Sequence, residues 1–288
     1  MLARPRAHRV QPTRGMRVVT VCLSHDIDHL SVREHVHDGI VLKFLLRTVL
    51  ELCLHRIPRT EVCNRFLSVP HDDWNNLPAL VKYDAEQGVK STFFFRTANG
   101  LGLAYNYKAA GRWMAMIRGA GLDVDVHGIA YDDAKDMVIE RERFAALMGE
   151  EPVGIRMHYL RFGPRTPQLL ASSGYRYDCS IRSSSVFQPY RIGGLVGFPL
   201  HLMGSDLFYG PRHHVQSGTL RSAQERTLRA FDLADSQGGF VSCLLHQRHF
   251  SEPWSKWREW YMWLVELVRQ GHGMQIKSYA EMLDEPAV

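Results

Sequence analysis

Two carboxylates and two imidazoles stand within six residues near the start of the chain, in Ser24-His25-Asp26-Ile27-Asp28-His29. The apolar, β-branched run over 18–23 predicts a buried strand, so the acidic pair is expected where a strand ends and a loop begins. Catalytic groups of α/β folds collect at that edge of the sheet. One Asp can then hold a metal ion while the other works as a base, because carboxylates in different environments take different roles.

Further ionisable residues follow other predicted strands. Each has a structural alternative when taken alone, since a lone His is often only hydrogen-bonded, an Asp can cap a turn and an Arg can be an ion-pair partner. Together they fall at the same end of successive strands, and in a parallel barrel these ends face one opening where His, Asp and Arg can build a metal site. The residues are Asp26, Asp28, His127, Arg156, His158, Asp178 and His246.

The rest of the chain alternates between predicted strands and helices. This pattern favours a parallel sheet with helices outside, either a closed barrel or a doubly wound sheet, and about seven units indicate a barrel. No glycine-rich nucleotide motif follows a strand. We therefore expect an α/β protein: one barrel domain over 16–288, with a helical insertion at about 30–70 and a basic, disordered tail over 1–15.

A helix predicted over 40–55 allows two interpretations. Lys43, Arg47, Glu51 and His55 recur every four residues and leave a broad apolar surface. We favour a helix that covers the mouth or flank of the domain over one that lies at a membrane interface. A later helix carries Trp254, Trp257, Trp260 and Trp263 every three residues, and we interpret these as core packing rather than sugar stacking.

Composition narrows the class of protein. The 288 residues are 45% hydrophobic, which suffices for a packed core, and carry a formal net charge of +5. Part of the excess lies in the first 17 residues, which hold five Arg and no acidic residue. We favour a solvated end there over a contact with nucleic acid or lipid. No recognition motif supports binding of nucleic acid. Without an apolar signal core or a run of about 20 apolar residues, we expect a cytoplasmic protein.

Several motifs, taken in chain order, resemble those of the polysaccharide deacetylase superfamily, also called the NodB-homology family. The resemblance spans about 18–246, and its specificity lies in order and spacing. It implies a distorted (β/α) barrel with seven strands and a divalent metal, usually zinc, that serves to hydrolyse N-acyl or O-acyl groups on sugars. The motifs are Asp26-x-Asp28, Ser91-Thr92-Phe93-Phe94, His127, Arg156-x-x-Tyr159, Asp178 and Leu245-His246.

The resemblance assigns roles by position. Asp26 matches the general base, Asp28 the carboxylate metal ligand and His127 the first histidine ligand. The family has a second histidine four residues later, where this chain has Tyr131. A phenol is a poor substitute at a zinc site, so His158 is expected to replace it, with Asp132 and His25 as weaker candidates.

The remaining matches concern the reacting groups. Arg156 matches the arginine that orients the base, and Tyr159 the aromatic residue whose backbone N–H stabilises the oxyanion. Asp178 and His246 match the paired acid and imidazole, with His246 protonating the leaving amine.

The segments 127–129 and 154–161 also resemble a divergent branch found with cell-surface polysaccharide and lipopolysaccharide O-antigen biosynthesis. That branch suits a cytoplasmic enzyme acting on a nucleotide- or lipid-linked sugar, with the apolar helix and basic tail in transient contact with an anionic inner membrane surface. A formamide is an equally suitable substrate bond. The alternative is a degenerate barrel that binds carbohydrate, or acts as a scaffold, without metal; the oligomeric state stays open.

Overall fold

A computed structural model describes residues 18–35, 37–209, 215–271 and 273–285, so the expected tail over 1–15 lies outside the described residues. The strands in chain order are β1 (Val19–Ile27), β2 (Thr92–Phe95), β3 (Asp123–Gly128), β4 (Gly154–Met157), β5 (Tyr177–Asp178), β6 (Tyr190–Ile192), β7 (Leu195–Gly197), β8 (Leu202–Met203), β9 (Phe240–Leu244) and β10 (Met274–Ile276). The α-helices are α1 (Ile40–Cys53), α2 (Arg59–Ser68), α3 (Leu77–Gln87), α4 (Tyr107–Gly119), α5 (Ala134–Met148), α6 (Thr166–Ser172), α7 (Gly204–Phe208), α8 (Leu220–Gln237), α9 (Ser255–Gln270) and α10 (Tyr279–Leu283).

The strands form one curled sheet in the order β6-β7-β5-β4-β3-β2-β1-β9-β8, and β10 also pairs with β1. Every pairing is parallel except the short β6–β7 hairpin. The continuous segment from β7 to β8 pairs with β5 at its start and with β9 at its end, and so links both sides of the curl. The predicted barrel-like α/β fold is confirmed, with more short strands than the seven expected.

The first strand is longer than its apolar run predicts. β1 continues through Ser24, His25 and Asp26 to Ile27, and all nine residues are buried. Successive side chains of a strand point to opposite faces. His25 therefore faces Asp84 and Tyr261 of the surrounding helices, while Asp26 faces the opening of the barrel. The expected loop begins only after Ile27.

The predicted insertion consists of a 3₁₀ turn at Val32–His35 followed by α1 and α2. Helix α1 does not turn its apolar surface towards the barrel. Thr48 and Glu51 are fully buried, whereas the side chains of Leu42 and Leu46 are 61% and 62% exposed. The helix therefore lies on the flank of the domain with its leucines outward.

Helix α9, in contrast to α1, packs its apolar side against the core of the domain. Trp254, Trp257 and Trp260 are buried in the main hydrophobic core, and Trp263 is partly buried against it. The indole N–H of Trp260 donates to Thr227 at 3.0 Å, which satisfies its polar atom. Core packing is thus confirmed for this helix. Within the described ranges, no helix combines the length and apolar character needed to cross a bilayer.

Candidate metal centre

A cavity of about 430 Å³ opens at the carboxyl ends of the central strands. Asp26 lies near the end of β1 and Asp28 just beyond it, His127 lies on β3, His158 follows β4 and His246 follows β9. Six predicted site residues line this cavity: Asp26, Asp28, His127, His158, Tyr159 and His246. Parallel pairing puts these strand ends at one edge, as the sequence predicts.

Three of these side chains converge on one point. His127 Nε2 lies 3.0 Å from His158 Nδ1 and 3.4 Å from Asp28 Oδ1, and His158 Nδ1 lies 3.7 Å from the same oxygen. Ligands 2.0–2.1 Å from a tetrahedral zinc ion are about 3.3 Å apart. The three separations bracket this value, so the predicted set of Asp28, His127 and His158 has the spacing of a metal site.

Hydrogen bonds on the far side of each ring fix which nitrogen faces this point. His127 Nδ1 donates to the Arg156 carbonyl at 3.0 Å, and His158 Nε2 donates to the Leu101 carbonyl at 3.2 Å. When both rings are neutral, the two nitrogens that face each other are therefore lone-pair acceptors. Asp28 Oδ1 is an acceptor too, and it is buried with no hydrogen-bond donor among the residues that the structure describes. Metal-binding histidines are oriented in this way by backbone carbonyls.

The electrostatics of the triad favour a positive charge between these atoms. Burial disfavours the charged form of both His127 and Asp28. The carboxylates of Asp26 and Asp28 outweigh that penalty and raise the pKa of His127, while contact with His127 and the charge of His246 hold the pKa of Asp28 well below its usual range. Burial and the neighbouring His127 lower the pKa of His158 to about 4, which keeps it a neutral ligand.

Asp26 has a different environment from Asp28. Its carboxylate accepts a hydrogen bond from Arg156 at 3.0 Å, and the guanidinium also donates to Ser24 Oγ and Tyr279 Oη. Arg156 is fully buried, with its guanidinium carbon 4.5 Å from the centre of the Phe94 ring. This contact is the one predicted between the candidate base and its orienting arginine.

Tyr159 stands at the mouth of the cavity with 71% of its side chain exposed. Its ring centre lies 4.1 Å from that of His158. Its φ of 54° is left-handed, which is uncommon outside glycine and is held here by the turn after β4.

The expected pairing of Asp178 with His246 is not formed. Asp178 accepts hydrogen bonds from the backbone N–H and the hydroxyl of Ser180, at 2.9 and 2.6 Å, and does not line the cavity. His246 Nε2 instead lies 3.5 Å from Asp28 Oδ2, and its Nδ1 is buried without a partner. Burial, together with Arg248, lowers the pKa of His246 despite the nearby carboxylates. This part of the sequence prediction is wrong because the Ser180 turn captures the Asp178 carboxylate.

The structure also separates the candidates for the missing histidine. Tyr131 packs beside Arg161, whose guanidinium carbon is 4.0 Å from the ring centre, and Asp132 is exposed. The His25 ring is bound to the Leu245 carbonyl on one side and to Asp84 on the other. Of these candidates, only His158 reaches His127 and Asp28.

One neighbour of the site was not assigned from the sequence. His29 lines the cavity next to Asp28, and its Nδ1 lies 2.7 Å from His35 Nε2. His35 in turn bonds Asp38 at 2.6 Å. The available signal was the spacing of the histidines and the aspartate within 29–38, but the 3₁₀ turn that aligns His29 with His35 depends on tertiary packing against Trp74.

No protein-family model and no curated protein matches the chain. Among solved structures, it is similar to a polysaccharide deacetylase from Mycobacterium smegmatis, with 16% identity and a TM-score of 0.62 over 95% of this chain and 92% of that one. It is also similar to a polysaccharide deacetylase from Pseudomonas aeruginosa PAO1, with 14% identity and a TM-score of 0.62 over 93% of this chain and 90% of that one. A third similar structure is the PuuE allantoinase, with 15% identity and a TM-score of 0.60 over 98% of this chain and 97% of that one. The chain has the fold of the polysaccharide deacetylases.

Proposed function

We propose that this protein is a metal-dependent hydrolase that removes an N-acyl group, acetyl or formyl, from a sugar. The observation that carries the proposal is the convergence of three possible ligand atoms, from Asp28, His127 and His158, on one buried point, where Asp28 Oδ1 has no hydrogen-bond partner among the described residues. A divalent cation satisfies all three at once, and zinc suits this set of nitrogen and oxygen ligands. The likeness to polysaccharide deacetylases and to an allantoinase supports hydrolysis of a non-peptide C–N bond.

The chemistry is divided between the two carboxylates. A divalent ion held by the triad would supply a Lewis acid for the acyl oxygen and for the attacking water. Asp26, oriented by its hydrogen bond from the Arg156 guanidinium, accepts the proton from that water. We assign the hydrogen bond to the developing oxyanion to the backbone N–H of Tyr159, a residue that lines the cavity mouth.

His246 is the remaining candidate acid for the leaving amine. It lines the cavity, and its buried Nδ1 has no partner in the described structure. Because Asp178 is turned to Ser180, we assign Asp178 no direct role in this step. The proton donated by His246 would therefore depend on the field of Asp28 rather than on a paired acid.

The proposal also includes a biological setting for the reaction. We place the reaction on a nucleotide- or lipid-linked sugar during cell-surface polysaccharide or lipopolysaccharide biosynthesis, on the cytoplasmic side of the membrane. What supports it is the resemblance of segments 127–129 and 154–161 to proteins of those pathways.

The alternative is a degenerate barrel that binds carbohydrate, or serves as a biosynthesis scaffold, without metal. Two departures from the family pattern favour it: Tyr131 stands in place of the second histidine, and Asp178 does not pair with His246. Metal analysis separates the two functions. A stoichiometric divalent ion supports the enzyme, whereas none after zinc is supplied supports the binder.

The decisive variant is Asp26→Asn. It removes the base and keeps the triad, so we expect the metal content to stay unchanged while release of free amine from a panel of N-acetylated and N-formylated amino sugars falls by about 10²–10⁴-fold. Mass spectrometry of bound metal and an amine-reactive dye provide the two readouts. Turnover retained by Asp26→Asn would show that Asp26 is not the base.

A further inference from the structure

The exposed face of α1 and α2, together with the turn between them, is the largest concentration of outward apolar side chains in the described structure. Of all the exposed large hydrophobic residues in the described structure, half lie between residues 42 and 67. On α1 they recur at intervals of three and four, which puts them on one side of the helix. This surface, called the leucine face below, consists of Leu42, Leu46, Val49, Leu50, Leu54, Phe66 and Leu67.

A buried charge cluster holds this face outward. Arg65 of α2 donates to Glu51 at 2.8 Å and to Glu61 at 2.6 Å, and all three side chains are inaccessible or nearly so. Glu51 also accepts the backbone N–H of Gln216 at 2.8 Å. Since the polar side of α1 is fixed inside by these bonds, the leucines cannot rotate into the core without breaking them.

The charges left outside on this segment have one sign. Glu51 and Glu61 are the only acidic residues between positions 40 and 71, and both are buried. Lys43, Arg56 and Arg59 are exposed. Within 40–71 the exposed charges beside the apolar surface are therefore cations, and such a surface is complementary to an anionic lipid surface, where acyl chains accept leucines and headgroup phosphates accept cations.

The leucine face also continues to the mouth of the cavity. Ile40, the first residue of α1, lines the cavity, as do the exposed Leu101 and Tyr159. A surface that bound to lipid would therefore bring the mouth of the cavity close to the headgroup layer.

We propose that the leucine face is an interfacial docking surface for membranes that contain anionic lipid. The leucines enter the boundary between headgroups and acyl chains, while Lys43, Arg56 and Arg59 pair with lipid phosphates. This docking does not require the metal or the catalytic residues, so it stands apart from the proposed reaction.

Flotation of the full chain with lipid vesicles tests the proposal. We expect binding to vesicles of phosphatidylcholine with 30 mol% (about one lipid in three) phosphatidylglycerol, and much weaker binding to phosphatidylcholine alone. Leu46→Ser with Leu50→Ser should lower the partition coefficient by about tenfold or more for each leucine. Lys43→Gln with Arg59→Gln should lower it about fivefold for each cation, and only on anionic vesicles.

Matched controls are available on another helix. Leu228 and Leu233 of α8 are exposed to a similar extent, 43% and 46%, so Leu228→Ser with Leu233→Ser should bind vesicles like the unchanged protein. Asp26→Asn should do the same, which separates a failure of docking from a failure of the catalytic assignment. The serine variants on α1 should still release amine from a water-soluble substrate at the normal rate.

Two cysteines offer a direct probe of where the lipid lies. Among the five cysteines only Cys53 and Cys63 are exposed. Cys53 lies on α1 and Cys63 lies on α2. An environment-sensitive dye on them should shift to shorter wavelength with anionic vesicles and be quenched by nitroxide-labelled lipid. Absence of vesicle binding, equal binding by the serine variants on α1, or a dimer abolished by those variants would each overturn the proposal, the last in favour of a contact between two copies.

Discussion

Two buried charge clusters in this molecule differ in how their charges are matched. Around Arg65, two carboxylates each meet the guanidinium at hydrogen-bond distance, so cation and anions are paired. Around Asp28, a carboxylate oxygen and two imidazole nitrogens face one another, and within the described part of the chain the oxygen Asp28 Oδ1 has no hydrogen-bond partner. A buried polar group without a partner costs free energy, and a cation or an ordered water can supply the missing partner.

The difference separates a structural role from a functional one. The Arg65 cluster is held together by bonds within the chain, although Glu61 Oε2 lacks a partner among the described residues, and it fastens α1 and α2 to the 3₁₀ turn before α9 through the Pro253 carbonyl. In the proposed function, a divalent cation completes the Asp28 cluster. Substitution in the two clusters should therefore affect different properties, stability in one and metal binding in the other.

The largest effect is expected for Asp28→Ala. Loss of one of three ligands should lower the affinity for zinc by more than about a hundredfold, the upper range for losing even an outer-shell partner, and abolish turnover. Competition with a chromophoric chelator measures the affinity. In the metal-free state this variant should lose some stability above about pH 4, because the contacts with His127 and His246 that lower the pKa of Asp28 stabilise its ionised form in the folded protein. A large loss of stability without loss of zinc would reverse the roles of the two clusters.

Arg65→Met should do the opposite. It leaves two carboxylates buried without their cation, which costs about 3–5 kcal/mol in the free energy of unfolding. Urea denaturation checks this value, while zinc affinity of the folded protein should stay unchanged. Adding Glu51→Gln and Glu61→Gln should recover part of the loss, since both uncompensated charges are then removed. No recovery would mean that packing against Trp254, rather than charge, dominates.

The buried carboxyl group of Glu140 tests the energetic cost of burying a charge through the pH dependence of stability. Glu140 accepts the backbone N–H groups of Ile129 and Ala130, yet burial raises its pKa to about 7. Its pKa in the unfolded chain is lower, so between about pH 4 and pH 7 the folded state binds more protons and the Glu140 contribution to stability falls as pH rises. Glu140→Gln should remove this contribution. The difference in unfolding free energy between the two proteins should then change across that window, and a constant difference would contradict the raised pKa.

The smallest effect is expected for Tyr131→Phe. The ring packs beside Arg161 and lies outside the triad, so the variant keeps that contact and loses only the hydroxyl. Zinc affinity and turnover should match those of the unchanged protein, and stability should change by less than about 0.5 kcal/mol. A clear loss of zinc would place Tyr131 at the metal and displace His158.

Much of the site could be predicted from the sequence, because strand ends in a parallel sheet share one edge. The position of Asp26, Asp28, His127 and His246 directly after apolar runs was enough to bring them to one cavity. The same reasoning misplaced the end of β1, since its last residues are polar on both faces and are buried by partners far along the chain. His25, for example, is satisfied by Asp84 and Tyr261.

The sequence by itself determined the α/β class, the edge of the sheet that carries the chemistry and the contact of Arg156 with Asp26. Only the tertiary structure decided that His158 joins His127, that Asp178 turns to Ser180 and that the leucines of α1 face outward. The physical reason is that these choices depend on pairings between distant residues. Periodicity shows that α1 has two unlike faces, but the buried bonds of Glu51 with Arg65 and Gln216 select which face points inward.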